Sequence, residues 1–402
     1  MTISGIDAMS VEAPDPVFWT SRASTKIGVN LLWLVPGVVG GSEGYITALL
    51  HGLLQVPAEQ RPEIILFALP SFAAAHPVLA ANFPVVVAPV SGRRRPIRVA
   101  VENSWLAVAA RRRRIALMHH AGGTMPFLRL TPAVVTVHDL QYRTYPEYFR
   151  SIKRRFLAVA MPMSARRARL VLTSSDFVRT TVVQAFGIAT SHVAVIPHGA
   201  DVVTPERTSS IETVRLRYGL AGPFFVYPAI TYPHKNHLLL LDALAEVVTR
   251  HPDVRLVLTG GEAQMEAAIV ARSVELGLSD HVRRTGRVRA ADLECMYENA
   301  IGLLFPSQYE GFGLPVVEAM RKGCPVVAAD NTALPEVVGE AGLLASSDSA
   351  HEWAIAMNRL LDDETLRSTL SVAGRERAAQ FSAVASAHLL IAAYRLALAT
   401  PP

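Results

Sequence analysis

Short runs rich in β-branched and aliphatic residues alternate with helical stretches along this 402-residue chain, and the alternation breaks once and then restarts. In the first half the spacing predicts strands over Lys26–Leu34, Glu63–Leu69, Val85–Val90, Arg114–His119, Ala133–His138, Arg169–Ser174 and Val193–Pro197. Helical patterns lie between them, as in Glu43–Leu54, Ser151–Arg166 and Phe177–Phe186. A Pro, Thr and Ser-rich stretch over 205–210 reads as a linker. Beyond it, strand patterns at Phe224–Pro228, Val254–Thr259, His281–Thr285, Ile301–Pro306 and Pro325–Ala328 alternate with helical ones at His237–Arg250, Ala263–Leu276, Ala291–Asn299 and Leu314–Lys322. Strands alternating with helices form parallel sheets covered on both faces. The expectation is therefore an α/β chain of two doubly wound domains, 25–205 and 206–380. Residues 1–24 are expected to be disordered, and a last helix within 381–402 is expected to cross back to the first domain. Ligands of such sheets sit beyond the carboxyl ends of the strands, so the cleft between two facing domains is the default site.

The composition supports large cores. Half the residues are hydrophobic and 18% are charged, which excludes a disordered chain. Two cysteines, Cys295 and Cys324, cannot build a disulfide framework or a zinc cluster and suit a reducing compartment. The best apolar run, Val29–Val39, is interrupted by Asn30 and Pro36 and falls short of a membrane span of about 20 residues. Asp7, Glu12 and Asp15 precede any apolar core, unlike a signal peptide. The expectation is a soluble, cytoplasmic protein.

Charge is divided unevenly. Residues 1–200 carry 21 Lys and Arg against 10 Asp and Glu, while residues 201–402 carry 18 against 24. The basic residues cluster at Arg93–Arg95, Arg111–Arg114, Lys153–Arg155 and Arg166–Arg169. Solvated helix faces would account for them. So would an anionic membrane surface, and nucleic acid is the weaker alternative. The expectation is a chain peripheral on the inner face of the cell membrane, with no nucleic-acid partner.

One stretch is rich in possible chemistry: Glu310-Gly311-Phe312-Gly313-Leu314-Pro315-Val316-Val317-Glu318, after an apolar strand pattern. Pro315 suits the first position of a helix. Gly311, Phe312, Gly313 and Leu314 would then present backbone N–H groups at a helix N-terminus, which favours an anion. Glu310 and Glu318 could each accept hydrogen bonds from paired sugar hydroxyls. Phosphate donors between two hydroxyl acceptors describe a sugar nucleotide. An ordinary Gly-Pro helix start with two solvated glutamates fits the same residues.

Glu-x7-Glu enclosing Gly-Phe-Gly resembles the donor site of retaining glycosyltransferases of family 4 (glycosyl transferases group 1), which have the GT-B fold. Five further stretches resemble that family in the same order: Gly40-Gly41-Ser42-Glu43, Val137-His138-Asp139-Leu140, Ile196-Pro197-His198-Gly199-Ala200-Asp201, His234-Lys235-Asn236-His237, and Asn331-Thr332-Ala333-Leu334-Pro335-Glu336. The resemblance implies two Rossmann-like domains facing across a cleft and a retaining transfer of a hexose from a nucleoside-diphosphate sugar to a glycan or lipid-linked acceptor. It implies that Gly40 and Gly41 approach the donor, that His138 lies beside the donor sugar, and that Lys235 opposes the diphosphate. Glu310 would meet the transferred sugar and Glu318 the ribose. Tyr145-Pro146-Glu147-Tyr148-Phe149 after the histidine motif resembles bacterial mannosyltransferases and makes GDP-mannose the first choice of donor, with UDP-glucose or a TDP-deoxysugar open.

The chain departs from the family near Tyr227-Pro228-Ala229, where members often carry an arginine. His119-His120 with Gly122-Gly123 is a second candidate for lining the cleft. No Asp-x-Asp is present, so neither a metal nor another cofactor is expected. The lack of a Walker loop, a Gly-x-Gly-x-x-Gly after a strand and a Gly-x-Ser-x-Gly elbow argues against an NTPase, a dinucleotide enzyme and an α/β-hydrolase. A sugar-nucleotide 2-epimerase of the same fold and a non-catalytic sugar-nucleotide-binding partner are the alternatives.

Overall fold

The computed structural model describes residues 25–38, 40–200 and 209–399. The expectations for residues 1–24, for Asp201 and for most of the linker fall outside them. The described residues form two compact units, 25–200 with 382–399 and 209–381.

The first unit is built on a seven-stranded parallel sheet in the order β3-β2-β1-β4-β5-β6-β7. Its strands are β1 Lys26–Leu31, β2 Glu63–Ala68, β3 Val85–Val87, β4 Leu117–His120, β5 Ala133–Thr136, β6 Leu170–Thr173 and β7 Val193–Val195. They are shorter than their apolar patterns because the ladder stops where the chain turns outward, while hydrophobicity continues into buried loop residues such as Leu32, Leu34 and Val137. Strands buried on both faces read as near-continuous apolar runs, and β5 and β6 do so. The region 72–112 carries four helices that alternation did not reveal: Phe72–Ala75, Pro77–Asn82, Arg95–Glu102 and Trp105–Arg112.

The helix Ala383–Ala399 packs lengthwise on the helix Gly41–Gln55. Ser386 Oγ donates to the Pro197 carbonyl at 2.8 Å, and Arg169 donates to the Ala397 carbonyl at 3.0 Å. A Cβ at Gly52 would fall 2.0 Å from the Ala383 carbonyl oxygen, and one at Gly199 would fall 2.4 Å from the Ala383 Cα. Only glycine permits this approach. The stretch Glu364–Ala399 is apolar and long enough to qualify as a membrane span by composition. It is divided by Gln380–Ser382, and Leu390, Ile391 and Tyr394 of its second helix lie in the core beneath β1 and β4.

The second unit holds a six-stranded parallel sheet, β10-β9-β8-β11-β12-β13. The strands are β8 Phe224–Pro228, β9 Arg255–Thr259, β10 Val282–Gly286, β11 Gly302–Phe305, β12 Val326–Ala329 and β13 Leu343–Ala345. The short edge strand β13 and the helix Leu334–Val338 had no clear sequence signal. Ser209 and Ser210, expected in the linker, belong to this unit. Ser210 caps the helix Ile211–Tyr218. Ser209 donates to Asp292 of the helix Ala290–Asn299.

Asp292 is a hub. It is fully buried, yet it receives hydrogen bonds from Arg217 at 2.6 Å, Tyr218 at 2.7 Å, Ser209 at 2.5 Å and Arg289 at 2.7 and 3.1 Å. The bonds from Arg289 first, and then those from its other partners, hold its carboxyl far below the usual aspartate range.

Candidate functional site

In the second unit Lys235 ends a short 3-10 turn, Pro233–Lys235, just past the carboxyl end of β8. Three bonds fix that turn. Tyr227 donates through its hydroxyl to the Lys235 carbonyl at 2.6 Å, and the Gln308 N–H donates to the His234 carbonyl at 2.8 Å. Asn236 sits at a φ of 57° and donates through its amide to the Ser347 carbonyl at 2.8 Å. Asparagine is among the few residues that tolerate this left-handed conformation. Lys235 Nζ lies 5.7 Å from the Phe305 ring centroid and 2.5 Å from Glu310 Oε1. The paired side chains are only 18% and 15% exposed.

Glu310 follows β11 in the loop leading to the helix Leu314–Arg321. Its backbone N–H donates to Thr332 Oγ1 at 3.2 Å, and Thr332 donates in turn to Asn331 Oδ1 at 3.1 Å. Thr332 stands at a φ of 52°, an outlier for a β-branched residue and a cost carried at the turn that supports Glu310. Sequence reasoning quoted Asn331-Thr332 as a motif without seeing this task. Tyr227, read only as part of a strand, was likewise missed as the anchor of Lys235. A threonine or tyrosine in an apolar pattern carries no mark of the loop it will hold.

Gly313 is the cap of the Leu314–Arg321 helix, at a φ of 99°. Leu314 is the first helical residue and Pro315 the second, one place later than the sequence suggested. Pro315 has no N–H and the Val316 N–H donates to the Gly313 carbonyl at 2.9 Å, so it is the positive end of the helix dipole that favours an anion at this start. Phe312 turns inward onto Phe381, 5.5 Å between centroids, and anchors the loop from below. Glu318 stands one turn into the helix. Burial raises its carboxyl to about 7, with Arg321 opposing the shift and Glu294 adding to it. Tyr297 lies beside it, its hydroxyl held well above its ordinary pKa, chiefly by burial. His234 and His237 flank Lys235. Burial first, and the lysine charge second, push them down to about 4 and about 3, so both are neutral near pH 7.

The raised carboxyl of Glu318 has a stability consequence. A carboxyl with a higher pKa folded than unfolded binds more protons in the native state, so its contribution is best below the unfolded value of about 4.5 and is lost as pH rises toward about 7. Glu318→Gln is therefore expected to raise the thermal midpoint relative to the parent chain at about pH 8 and to change it little near pH 4. Thermal melts at the two pH values check this. A midpoint difference independent of pH would show that the carboxyl is ionised without penalty.

In the first unit, Gly40 caps the helix Gly41–Gln55 and Gly41 is its first residue, so the helix begins two residues earlier than expected. Gly40 has a φ of 69°, and added Cβ atoms at either glycine would meet open space. Glu43 ties the preceding turn down. It accepts from the Gly37 N–H at 2.8 Å and lies 2.9 Å from His76 Nε2. His138 lies beyond β5, which stops at Thr136 rather than running to the histidine. Its Nε2 is 2.8 Å from the Ala121 carbonyl oxygen. A carbonyl only accepts, so Nε2 carries the proton and Nδ1 is left as an acceptor. Burial lowers the His138 pKa and keeps the ring neutral. Its ring stands edge-on to Tyr45 at 5.4 Å, and Tyr45 belongs to the helix that starts at Gly41. The expectation that His119 lines a ligand site is not met. His119 is fully buried, with Tyr394 at 2.8 Å on one ring nitrogen and Thr136 at 2.7 Å on the other. Its neighbour His120 is also buried and bonds Asn30 at 3.2 Å.

Both units thus carry ligand-compatible loops at the carboxyl ends of parallel strands, where such sheets bind ligands. Residues 39–204 match the family model described as Glycosyltransferase Family 4, and residues 219–377 match Glycosyl transferases group 1. Over 275 residues the chain is 32% identical to O-antigen chain mannosyltransferase B of Escherichia coli, covering 67% of this chain and 71% of that protein. The chain belongs to glycosyltransferase family 4. This family 4 glycosyltransferase is also 34% identical over 213 residues to a D-inositol 3-phosphate glycosyltransferase of Corynebacterium diphtheriae, half of each chain. Its fold matches that of HepE from Anabaena, solved with UDP and glucose, with a TM-score of 0.70 and 24% identity over 92% of this chain and 99% of that one. Sucrose-phosphate synthase from Thermosynechococcus elongatus matches with a TM-score of 0.72 and 20% identity, over 92% and 98%. The two parallel-sheet units of seven and six strands are those of the GT-B glycosyltransferases.

Proposed function

We propose that this glycosyltransferase moves a hexose, with retention, from a nucleoside-diphosphate sugar to a hydroxyl of a glycan or lipid-linked acceptor, and that the donor is GDP-mannose. The observation that carries the reading is the Lys235–Glu310 pair at the start of the Leu314–Arg321 helix. A cation from the turn after β8 and a carboxylate from the loop after β11 meet there, in front of a helix N-terminus. A diphosphate would take Lys235 and the helix start as partners, and Glu310 would then be released to a sugar hydroxyl. Glu318 would accept from the ribose. Nδ1 of His138 and the open space over Gly40 and Gly41 suit the sugar end of the donor. In this reading the protein's part is to position groups and to stabilise the departing diphosphate. In front-face transfer the leaving phosphate takes the acceptor's proton.

The mannosyl assignment draws on the likeness to the Escherichia coli mannosyltransferase. The buried free thiols of Cys295 and Cys324 suit a cytoplasmic protein. Metal independence is part of the proposal, since Lys235 and the helix start would supply the positive potential. Thermal shift with GDP, UDP and TDP tests the donor. GDP is expected to raise the melting midpoint most, and donor turnover by the chain is expected to survive EDTA. Stabilisation by UDP or TDP alone would overturn the GDP assignment. Turnover lost in EDTA and restored by a divalent cation would overturn metal independence. Conversion of the donor to its 2-epimer without an acceptor would favour the epimerase alternative.

A further inference from the structure

His119-His120 and Gly122-Gly123 take no part in the donor loop, yet they shape the crevice of the first sheet. The strand order reverses between β1 and β4, with β2 and β3 on one side and β5 to β7 on the other. Ligands of parallel sheets bind at that reversal, beyond the carboxyl ends of the strands. Trp33, Gly122 and His138 stand there, each two residues past the end of its strand, β1, β4 and β5. The indole of Trp33 is laid on Gly122. A Cβ at Gly122 would fall 2.5, 2.6 and 2.9 Å from Cγ, Cδ1 and Cδ2 of the ring, so any side chain there would lift it. Trp33 Nε1 donates to the Asn30 carbonyl at 3.0 Å. Asn30 is itself held. Its Oδ1 accepts from the Leu32 N–H at 3.0 Å, which leaves Nδ2 to donate to His120 Nδ1 at 3.2 Å. Both residues are buried, and burial pushes the His120 ring down to about 3, so it stays neutral. The indole is thus fixed on one face and at its nitrogen, while Trp33 as a whole stays partly exposed. Its centroid is 6.2 Å from that of His138, which bonds the Ala121 carbonyl next to Gly122. Beyond it Gly123 adds no side chain, and a Cβ there would meet open space. A flat, pre-ordered aromatic ring with open ground beside it suits the apolar C–H face of a pyranose, since little side-chain entropy is lost on contact.

We propose that Trp33, seated on Gly122, is the stacking platform for a sugar ring of the acceptor, and that the acceptor is therefore a glycan, free or lipid-linked, whose terminal residue is a neutral pyranose. The inference rests on the transferase reading and adds the class of substrate that the first unit takes. Position assigns the ring to the acceptor. In that reading His138 faces the transferred sugar, so the attacking hydroxyl belongs to the next ring along, and Trp33 is the partly exposed ring next to His138. Tyr45, the ring on its other side, is fully buried and offers no face to a ligand. Chemistry assigns the class. An indole face carries no charge and pairs with C–H groups, so it selects a sugar ring over a phosphate.

Saturation-transfer NMR on the full chain with GDP present tests it, with the methyl α-glycosides of mannose, glucose, galactose, rhamnose and N-acetylglucosamine as probes. At least one is expected to bind the parent and to receive saturation mainly at the C–H groups of one ring face. Trp33→Leu keeps apolar bulk without a flat ring and is expected to weaken that glycoside by about tenfold. Trp33→Tyr restores a flat ring and is expected to stay within about threefold of the parent. Gly122→Ala is expected to weaken the glycoside in the parent and to add nothing in Trp33→Leu, because it acts on the sugar only by lifting the indole. Melting midpoints report folding, and if Trp33→Leu does not fold, Gly122→Ala carries the test. The nucleotide's partners lie in the second unit, so the midpoint rise given by GDP should match the parent in every variant. Loss of that rise in the parent would sink the donor reading. An intact rise with no glycoside bound would sink the platform alone. Replacing GDP by GDP-mannose should leave the glycoside bound or convert it to a disaccharide glycoside, whereas its displacement would give the ring to the donor sugar. That displacement, equal binding by the parent and Trp33→Leu, or no binding by any of the glycosides would overturn the proposal.

Discussion

Replacing Glu310 with Gln, or Lys235 with Met, is expected to lower donor turnover by about a hundredfold or more, and the double variant is expected to stay equally inactive. The two side chains are 2.5 Å apart and mostly buried, so in the unliganded chain each is the other's main charge partner. Removing one leaves an opposite charge in a poorly solvated loop, which is destabilising. Removing both leaves none, so melting midpoints should recover in the double variant. Turnover should not recover, because a positioned charge facing a departing diphosphate is worth about 3–4 kcal/mol in the transition state and has no substitute in that loop. Melts and turnover on the same four proteins form a double-mutant cycle that separates the two roles. If turnover in the double variant returned along with stability, the pair would be a structural ion pair only. Loss of midpoint without any loss of turnover would remove both residues from the donor site.

Asp292→Ala is expected to cost the second unit about 3 kcal/mol, which corresponds to a fall of roughly 6–12 °C in its melting midpoint. Asp292 is fully buried and joins Ser209, Arg217 and Tyr218 to Arg289 across two helices. Arg217 and Arg289 reach solvent in part, 39% and 54% exposed, so they can rehydrate when the carboxylate is lost, and this limits the damage. Acid should reproduce it. The folded pKa lies below the unfolded aspartate value of about 4, so the stabilisation is complete above that value and is lost as pH falls below it toward the depressed folded one. Denaturant titrations of parent and Asp292→Asn through that range test the assignment. The parent should lose stability faster than the variant as pH falls. Parallel losses would place the acid sensitivity elsewhere.

The candidate donor loop was largely legible in the sequence because its parts are local. Glu310 to Glu318 is nine consecutive residues, and a glycine, a proline and a strand in front determine a helix start whatever surrounds it. The pairing of Glu310 with Lys235 was not legible. It joins residues 75 positions apart, and both had been read toward absent ligands rather than toward each other. The same limit hid the supports. Thr332 holds Glu310 through a backbone bond from a different strand's loop, and Tyr227 holds Lys235 from within β8. His119 shows the opposite error. A histidine pair at a strand end looks available in sequence, whereas His119 lies between Thr136 and a tyrosine 275 residues away, with both ring nitrogens occupied.

By itself the sequence determined the class of fold, the order of most strands, and the loops that carry the chemistry. Those depend on hydrophobic period and turn residues, which act within about 20 neighbours. Tertiary structure alone decided where the apolar runs stop being strands, since a ladder ends when its neighbour leaves and not when hydrophobicity does. It decided that Gly52 and Gly199 must be glycine, because the backbone at Ala383 passes through the space of any side chain there. It also decided the lodging of the terminal helix, whose Tyr394 reaches His119 beneath the first sheet. An amphipathic helix specifies that it must bury a face, and only the assembled surface of β1, β4 and the Gly41–Gln55 helix specifies which partner it buries that face against.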